Sequence, residues 1–216
     1  MIRVVLVDDH DLVRLGIRRL LSEVPEIEVI AEGTCGEEAI NLVRDHQPDV
    51  VFMDIRMPGM GGVEATSRIT SLHPKVTVIG LSAASDELYP AKLLRAGAKG
   101  YITKNAESAE IKIALETILN GKPYISPQIA QQMAMGSLSG VAGESPFSQL
   151  TERELQIAQM ITSGHRANEV AAVLRISPKT INTHKYRIYD KIGVSNDVEL
   201  TLAAVRHGLV DPAESL

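Results

Sequence analysis

The chain has 216 residues, of which 44% are hydrophobic and only 3% aromatic, and it carries a formal net charge of −5. This length suggests about two domains with aliphatic cores, and no apolar run approaches the roughly 20 residues that a membrane-spanning helix needs. The one cysteine, Cys35, excludes an intrachain disulfide. The apolar run at the amino terminus is too short for a signal peptide, so we expect a cytoplasmic protein with no membrane partner.

Charge is divided unevenly along the chain. Residues 150–210 contain 8 Lys and Arg against 6 Asp and Glu, whereas the remainder contains 14 against 21. The mildly basic segment 150–210 and the acidic remainder of the chain predict different partners for the two parts.

Residues 1–121 alternate short runs rich in β-formers with amphipathic stretches of helical spacing. Continuous apolar strands are typical of a sheet that is covered on both faces, so the pattern predicts a five-stranded parallel, doubly wound, flavodoxin-like α/β domain. The predicted strands lie near 2–7, 28–31, 50–53, 76–81 and 100–102, and the predicted helices near 12–22, 37–45, 63–72, 87–95 and 109–119.

Polar side chains follow the predicted strands at the points where the strands end. Asp8 and Asp9 follow the first strand, Asp54 the third, Ser82 the fourth and Lys104 the fifth. Ligands of such sheets bind outside the carboxyl ends of the strands, so we expect these side chains to converge. Carboxylates suit Mg²⁺, which Asp9 and Asp54 would bind directly and Asp8 through water. A phosphoryl group facing Asp54 would have Lys104 and Ser82 beside its oxygens.

With these motifs, residues 1–121 resemble the receiver domain of response regulators. The resemblance implies that Asp54 accepts a phosphoryl group from a sensor histidine kinase. It also implies that the Arg56 carbonyl joins Asp9 and Asp54 in binding Mg²⁺, and that Ser82 and Tyr101 form a switch. The matching segments are Val-Asp-Asp-His at 7–10, Met-Asp-Ile-Arg-Met-Pro-Gly at 53–59, Leu-Ser-Ala at 81–83 and Gly-Tyr-Ile-Thr-Lys at 100–104.

Residues 122–149 change in character. A short helix is possible within 125–133, and the small, polar, turn-rich run over 136–146 predicts a flexible linker.

From Leu150 the chain has a wholly helical pattern. Thr151–Glu154 is a capping box that opens a helix to about residue 163, and a second helix is predicted near 168–174. Ser177 and Pro178 then form a turn that opens a longer helix to about residue 192, and a fourth helix covers about 197–207. A short helix, a tight turn and a longer helix are typical of a helix–turn–helix DNA-binding motif.

The longer helix carries the predicted DNA-binding residues. Cations neutralise phosphates, whereas Asn and Thr side chains can bind base edges. On charge alone we predict phosphate contacts for the four basic residues. The predicted DNA-binding set is Lys179, Thr180, Asn182, Thr183, Lys185, Tyr186, Arg187 and Lys191.

Residues 150–210 resemble the LuxR-type four-helix DNA-binding domain, through Leu-Thr-Glu-Arg-Glu-Leu at 150–155 and Ile-Ser-Pro-Lys-Thr-Ile-Asn-Thr-His at 176–184. This resemblance implies that Asn182, Thr183 and Tyr186 read bases. With the receiver, the chain is similar to the NarL/FixJ class of transcription factors, and nearly its whole length is similar to GacA/UvrY-type regulators. This resemblance implies a BarA/GacS-like kinase as phosphodonor and target promoters of small regulatory RNAs. A helix–turn–helix monomer makes few base contacts, so we expect phosphorylation to promote a homodimer on double-stranded DNA.

Two other classes of function remain open from the sequence. The run Asp9-His10-Asp11-Leu12-Val13 fits the nucleophile pattern of haloacid-dehalogenase-type phosphatases. Against this reading, the chain has no acid pair after Lys104, and Asp54 would have no role, so we expect no turnover enzyme. Alternatively, the back half is a helix bundle that binds only protein, in which case promoter binding would be absent.

Overall fold

The computed structural model divides the chain into two compact units, Met1–Leu138 and Ser139–Leu216. No helix within the described residues is long and apolar enough to cross a membrane. The described residues are 1–82, 89–138, 145–174, 176–207 and 209–210, with the backbone alone at 135–138.

A parallel sheet forms the centre of the first unit. Its strand order is β2-β1-β3-β4-β5-β6, and every neighbouring pair is parallel. The prediction of five strands was wrong by one, because Tyr124 and Ile125 add a two-residue strand beside Gly100 and Tyr101. The strands are β1 (Ile2–Val7), β2 (Ile27–Gly33), β3 (Val50–Asp54), β4 (Thr77–Ser82), β5 (Gly100–Thr103) and β6 (Tyr124–Ile125).

Helices cover both faces of this sheet. Successive side chains of a strand point to opposite faces, and β1 shows this: Val4 and Leu6 pack in one apolar cluster, whereas Val5 and Val7 pack in another. The first cluster includes buried residues of α1 and α5, and the second those of α2 and α3. The helices are α1 (Asp11–Ser22), α2 (Gly36–His46), α3 (Gly62–Leu72), α4 (Tyr89–Arg95) and α5 (Ser108–Leu119).

The segment predicted as a linker begins with regular structure. After β6, a helix that we call α6 covers Pro127–Leu138, which is longer than the short helix considered possible from the sequence. The Tyr124 and Ser126 hydroxyls donate hydrogen bonds to Glu110 Oε1 in α5, at 3.3 and 2.5 Å. Most of the predicted flexible run over 136–146 lies outside the described residues.

Four α-helices form most of the described part of the second unit, as predicted. A 3₁₀ turn at Pro146–Gln149 precedes them, and the Thr151 hydroxyl and Glu154 carboxylate form the predicted capping box of the first. The Ser177 hydroxyl accepts a hydrogen bond from the Thr180 amide and so caps the third helix. The helices are α7 (Glu152–Thr162), α8 (Ala167–Val173), α9 (Pro178–Ile192) and α10 (Asp197–Arg206), around buried Phe147, Leu155, Ile157, Ile181, Ile188 and Leu200.

Candidate functional sites

Acidic side chains and a lysine converge at the carboxyl edge of the sheet, as predicted for the first unit. The Lys104 ammonium lies 2.8 Å from Asp8 Oδ2 and 2.9 Å from Asp54 Oδ2. Both carboxylates are almost wholly buried, with 0% and 2% of their side chains exposed. The β4–β5 pairing aligns this lysine, since its amide donates a hydrogen bond of 2.7 Å to the Ser82 carbonyl.

Burial dominates the electrostatics of this pocket. It raises the pKa of Asp54 to about 7, because Lys104 offsets the loss of water only in part and Asp8 and Asp9 add to the rise. Burial alone would lower the pKa of Lys104, but the neighbouring Asp54 and Asp8 carboxylates raise it. A carboxyl group with such a pKa at a sheet edge is typical of a functional site.

A divalent cation fits this group of side chains. Asp8, Asp9, His10 and Asp54 each offer a ligand atom, and these atoms lie within 4.8 Å of one another. Three carboxylates outweigh the one Lys104 ammonium, so the ionised pocket carries two negative charges in excess. Hard oxygen ligands of this kind are those that Mg²⁺ and similar ions prefer.

The remaining predicted residues of this site lie in the same part of the sheet. Ser82 ends β4 and is fully buried. Tyr101 in β5 is also fully buried and stands beside Gly80 of β4. Arg56 follows Asp54 by two residues; its amide lies 3.4 Å from Asp54 Oδ1, and its guanidinium lies 5.7 Å from the centre of the Tyr89 ring.

Sequence reasoning missed an arginine that fixes the loop between β1 and α1. Arg14 donates hydrogen bonds to the Asp8 carbonyl at 2.7 Å, to Asp11 at 2.6 Å and to Glu32 at 3.1 Å. Its side chain is only 16% exposed. An arginine five residues after an acidic pair, on a helix, looks like an ordinary surface residue in the sequence, so only the structure reveals this role. Asp11, which a phosphatase would need in its site, instead pairs with Arg14 and is 87% exposed.

The loop after Asp54 is held by a close backbone approach and by a carboxylate of α2. The Glu37 carboxylate accepts a hydrogen bond from the Met60 amide, and the Gly62 amide donates to the Ile55 carbonyl at 2.9 Å. A Cβ atom at Gly62 would lie 2.0 Å from the Asp54 carbonyl oxygen. Glycine is therefore required at this position for the loop to fold against the strand end.

In the second unit, α8, a tight turn and α9 form the predicted helix–turn–helix arrangement. The apolar side of α9 is buried at Ile181 and Ile188. The opposite side presents polar and basic side chains to solvent, with Tyr186 exposed by 73%. The predicted DNA-binding residues in the exposed class are Lys179, Thr180, Asn182, Thr183, Tyr186 and Arg187.

Two of the lysines predicted to bind phosphate have partners inside the unit. Lys185 Nζ lies 2.7 Å from Asp197 Oδ2, and only 18% of its side chain is exposed. Lys191 Nζ lies 2.6 Å from the Glu154 carboxylate in α7. The prediction from charge alone did not include these ion pairs, because Glu154 and Lys191 are far apart in sequence.

Comparison with protein families assigns each unit. Residues 4–116 match the family described as response regulator receiver domain, and residues 148–204 match bacterial regulatory proteins of the luxR family. The response regulator GacA of Pseudomonas aeruginosa is 46% identical over 213 residues, covering 99% of this chain and 100% of that protein. The response regulator UvrY of Escherichia coli K12 is 47% identical over 216 residues, covering 100% and 99%.

Solved structures agree with this assignment. A LuxR-family two-component response regulator from Aurantimonas sp. SI85-9A1 is 39% identical with a TM-score of 0.60, over 64% of this chain and 99% of that one. The response regulator ChrA of a heme-sensing two-component system is 32% identical with a TM-score of 0.56, over 97% and 98%. The chain is therefore a two-component response regulator that joins a receiver domain to a LuxR-type helix–turn–helix domain.

Proposed function

We propose that Asp54 is the phosphoacceptor and takes its phosphoryl group from a phosphohistidine of a sensor kinase. The observation that carries this proposal is the position of the buried Asp54 carboxylate, 2.9 Å from the Lys104 ammonium and next to two further carboxylates. In the transfer, the phosphorus–nitrogen bond of the donor breaks as an Asp54 oxygen bonds to phosphorus.

The pocket supplies positioning and charge to this reaction. Lys104 stays beside Asp54 and neutralises one oxygen of the phosphoryl group. The Ser82 hydroxyl donates a hydrogen bond to another of its oxygens. Asp9, Asp54 and the Arg56 carbonyl would hold Mg²⁺ directly, and Asp8 through water. The bound ion would neutralise phosphoryl oxygens that Lys104 does not contact. We infer that the regulator transfers this group to itself and is not a turnover enzyme.

Substitution of the acceptor tests this assignment. Asp54→Asn keeps the shape of the side chain and removes the nucleophile, so incubation with acetyl phosphate and Mg²⁺ should add phosphate to the wild type but not to this variant, as measured by intact mass. Asp45→Asn, at an exposed carboxylate of α2, is the matched control and should still be labelled. A phosphate adduct on Asp54→Asn would refute the assignment, and turnover at Asp9 would favour the phosphatase reading.

We propose further that α9 enters the major groove of promoter DNA. Its exposed residues divide by chemistry: Lys179 and Arg187 contact phosphates, whereas Asn182, Thr183 and Tyr186 read bases. Thr180 lies in the first turn of α9, and we propose that it contacts the DNA backbone there. Lys185 and Lys191 remain predicted phosphate contacts. To contact DNA, Lys185 would have to leave Asp197 or contact it and a phosphate together, and Lys191 likewise with Glu154.

The relatives give the proposal its biological frame. Similarity to GacA and UvrY over the full length supports a BarA/GacS-like sensor kinase as the phosphodonor and promoters of small regulatory RNAs as targets. We place this activity in the cytoplasm. Phosphorylation would promote a homodimer, because two-fold dimers gain affinity by binding two half-sites.

Mapping of genomic binding sites with wild type and Asp54→Asn tests this second proposal. We expect sites upstream of small-RNA genes that are lost or weakened in the variant. Sedimentation of the phosphorylated and free protein should show an increase in mass on phosphorylation. Absence of DNA binding at low salt would refute the proposal and favour the alternative in which the second unit binds only protein.

A further inference from the structure

His10 occupies an unusual position at the start of α1. It is the N-cap residue of that helix, yet its side chain makes no capping hydrogen bond. The imidazole instead lies beside the acidic pocket, with Nδ1 2.8 Å from Asp9 Oδ1 and 3.5 Å from Asp8 Oδ1. Since N-caps favour Ser, Thr, Asp and Asn, helix capping does not account for this residue.

The spacing of these atoms is that of neighbouring ligands around one metal ion. Metal–ligand bonds of about 2.1 Å at right angles place the two ligand atoms about 3.0 Å apart. The 2.8 Å separation of His10 Nδ1 and Asp9 Oδ1 is close to this value. Asp54 completes a set whose ligand atoms all lie within 4.8 Å.

The imidazole and the lysine contact different atoms of the carboxylates. Lys104 contacts the Oδ2 atoms of Asp8 and Asp54, whereas His10 contacts the Oδ1 atoms of Asp8 and Asp9. His10 is 65% exposed and Asp9 25% exposed, so both lie on the solvent side of the pocket. A cation can therefore bind between them without displacing Lys104.

We propose that His10 is a metal ligand in this pocket and that it shifts the selectivity of the site toward transition-metal ions. Mg²⁺ takes oxygen ligands and gains little from an imidazole, whereas Co²⁺, Ni²⁺ and Zn²⁺ bind imidazole well. The inference rests on the proposed function, because the same carboxylates would hold Mg²⁺. Its consequence is that such ions compete with Mg²⁺ for the site in which Asp54 is phosphorylated.

Calorimetric titration of the full chain with Mg²⁺ and with Ni²⁺ tests this inference. His10→Gln removes the imidazole and keeps a polar side chain of similar length. We expect the ratio of the Ni²⁺ affinity to the Mg²⁺ affinity to fall at least about tenfold, the lower limit for loss of a group that supports a metal. The matched control is His46→Gln, at an exposed histidine of α2, which should leave the ratio unchanged.

The outcomes separate this inference from the proposed function. An unchanged ratio in His10→Gln would overturn the inference and leave His10 as a polar neighbour of Asp9. Asp9→Asn provides the second arm: if Mg²⁺ binds it as tightly as the wild type, the proposed metal centre itself fails. With Co²⁺, a shift of the visible absorption bands from those of the wild type in His10→Gln but not in His46→Gln would independently support nitrogen coordination by His10.

Discussion

The ion pair between Glu154 and Lys191 should be a main source of stability in the helix–turn–helix unit. Glu154 is 4% exposed and accepts hydrogen bonds from the Lys191 ammonium at 2.6 Å and from the Thr151 amide at 2.9 Å. These contacts join the first turn of α7 to the last turn of α9. Glu154→Gln would keep the shape and one hydrogen-bond acceptor but would remove the charge that Lys191 faces.

The size of this effect follows from the exposure of the two partners. Loss of one partner of a fully buried pair costs about 3–5 kcal/mol, but Lys191 is 34% exposed and can still reach water. A hydrogen bond to a charged group contributes about 1.5–3 kcal/mol. We therefore expect Glu154→Gln to lower the free energy of unfolding by about 1.5–3 kcal/mol.

Urea unfolding of the full chain, followed by circular dichroism, measures this change. Asp190→Asn removes the same charge from the exposed side of α9 and should change stability by less than about 0.5 kcal/mol. Equal stabilities of the two variants would refute the role of the ion pair.

The same contacts predict a dependence on pH. Burial alone would raise the pKa of Glu154, but Lys191 and the Thr151 amide outweigh it and hold the pKa below its usual range. A depressed folded-state pKa gives stability that is full above the unfolded pKa of about 4.3 and is lost as pH falls through the folded value. The difference between wild type and Glu154→Gln should therefore persist from neutral pH and shrink only in acid. A difference that is constant down to the most acid pH measured would contradict this assignment.

Two further predictions address the close backbone approach and the DNA surface. Gly62→Ala should lower the stability of the first unit by about 1–3 kcal/mol, because the new Cβ would clash with the Asp54 carbonyl. Gly16→Ala, where a Cβ has open space, is the control. Equal stabilities of the two variants in urea would contradict this prediction. Arg187→Ala should weaken binding to all duplexes and reduce the salt slope by about one, whereas Asn182→Ala should cost about 1–3 kcal/mol on the specific site and little on scrambled DNA. If Asn182→Ala lowers both affinities equally, this residue does not read bases.

Much of the fold could be predicted because its signals are local. Each of the first five strands contains β-forming residues, and their observed bounds differ from the predicted ones by at most two residues. The capping box at Thr151 and the Ser177-Pro178 turn likewise fix two helix starts from sequence alone. β6 was missed because two residues carry no periodicity; its place in the sheet depends on hydrogen bonds to the edge of β5.

The acidic pocket could be predicted for a topological reason, whereas the ion pairs of α9 could not. Parallel strands bring their carboxyl ends to one edge of the sheet. Residues that directly follow different strands therefore lie close together, whatever the conformation of the loops after them. No such rule links Lys191 to Glu154 or Lys185 to Asp197, whose contacts depend on how helices pack. Arg14 was missed for the same reason, since its partner Glu32 lies on a neighbouring strand.

Lys191 and Lys104 each contact a buried carboxylate, with opposite consequences for its pKa. Between α7 and α9, Lys191 contacts one carboxylate among the described residues, that of Glu154. Pairing outweighs burial there, so the pKa of Glu154 falls and the two charges cancel in the folded state. At the sheet edge, Lys104 is shared by Asp8 and Asp54, and burial outweighs pairing, so the pKa of Asp54 rises to about 7. The first arrangement is complete without a ligand, whereas the second has uncompensated negative charge that a divalent cation can neutralise. The two carboxylates thus differ in the balance between burial and pairing: pairing lowers the pKa of Glu154, whereas burial raises that of Asp54.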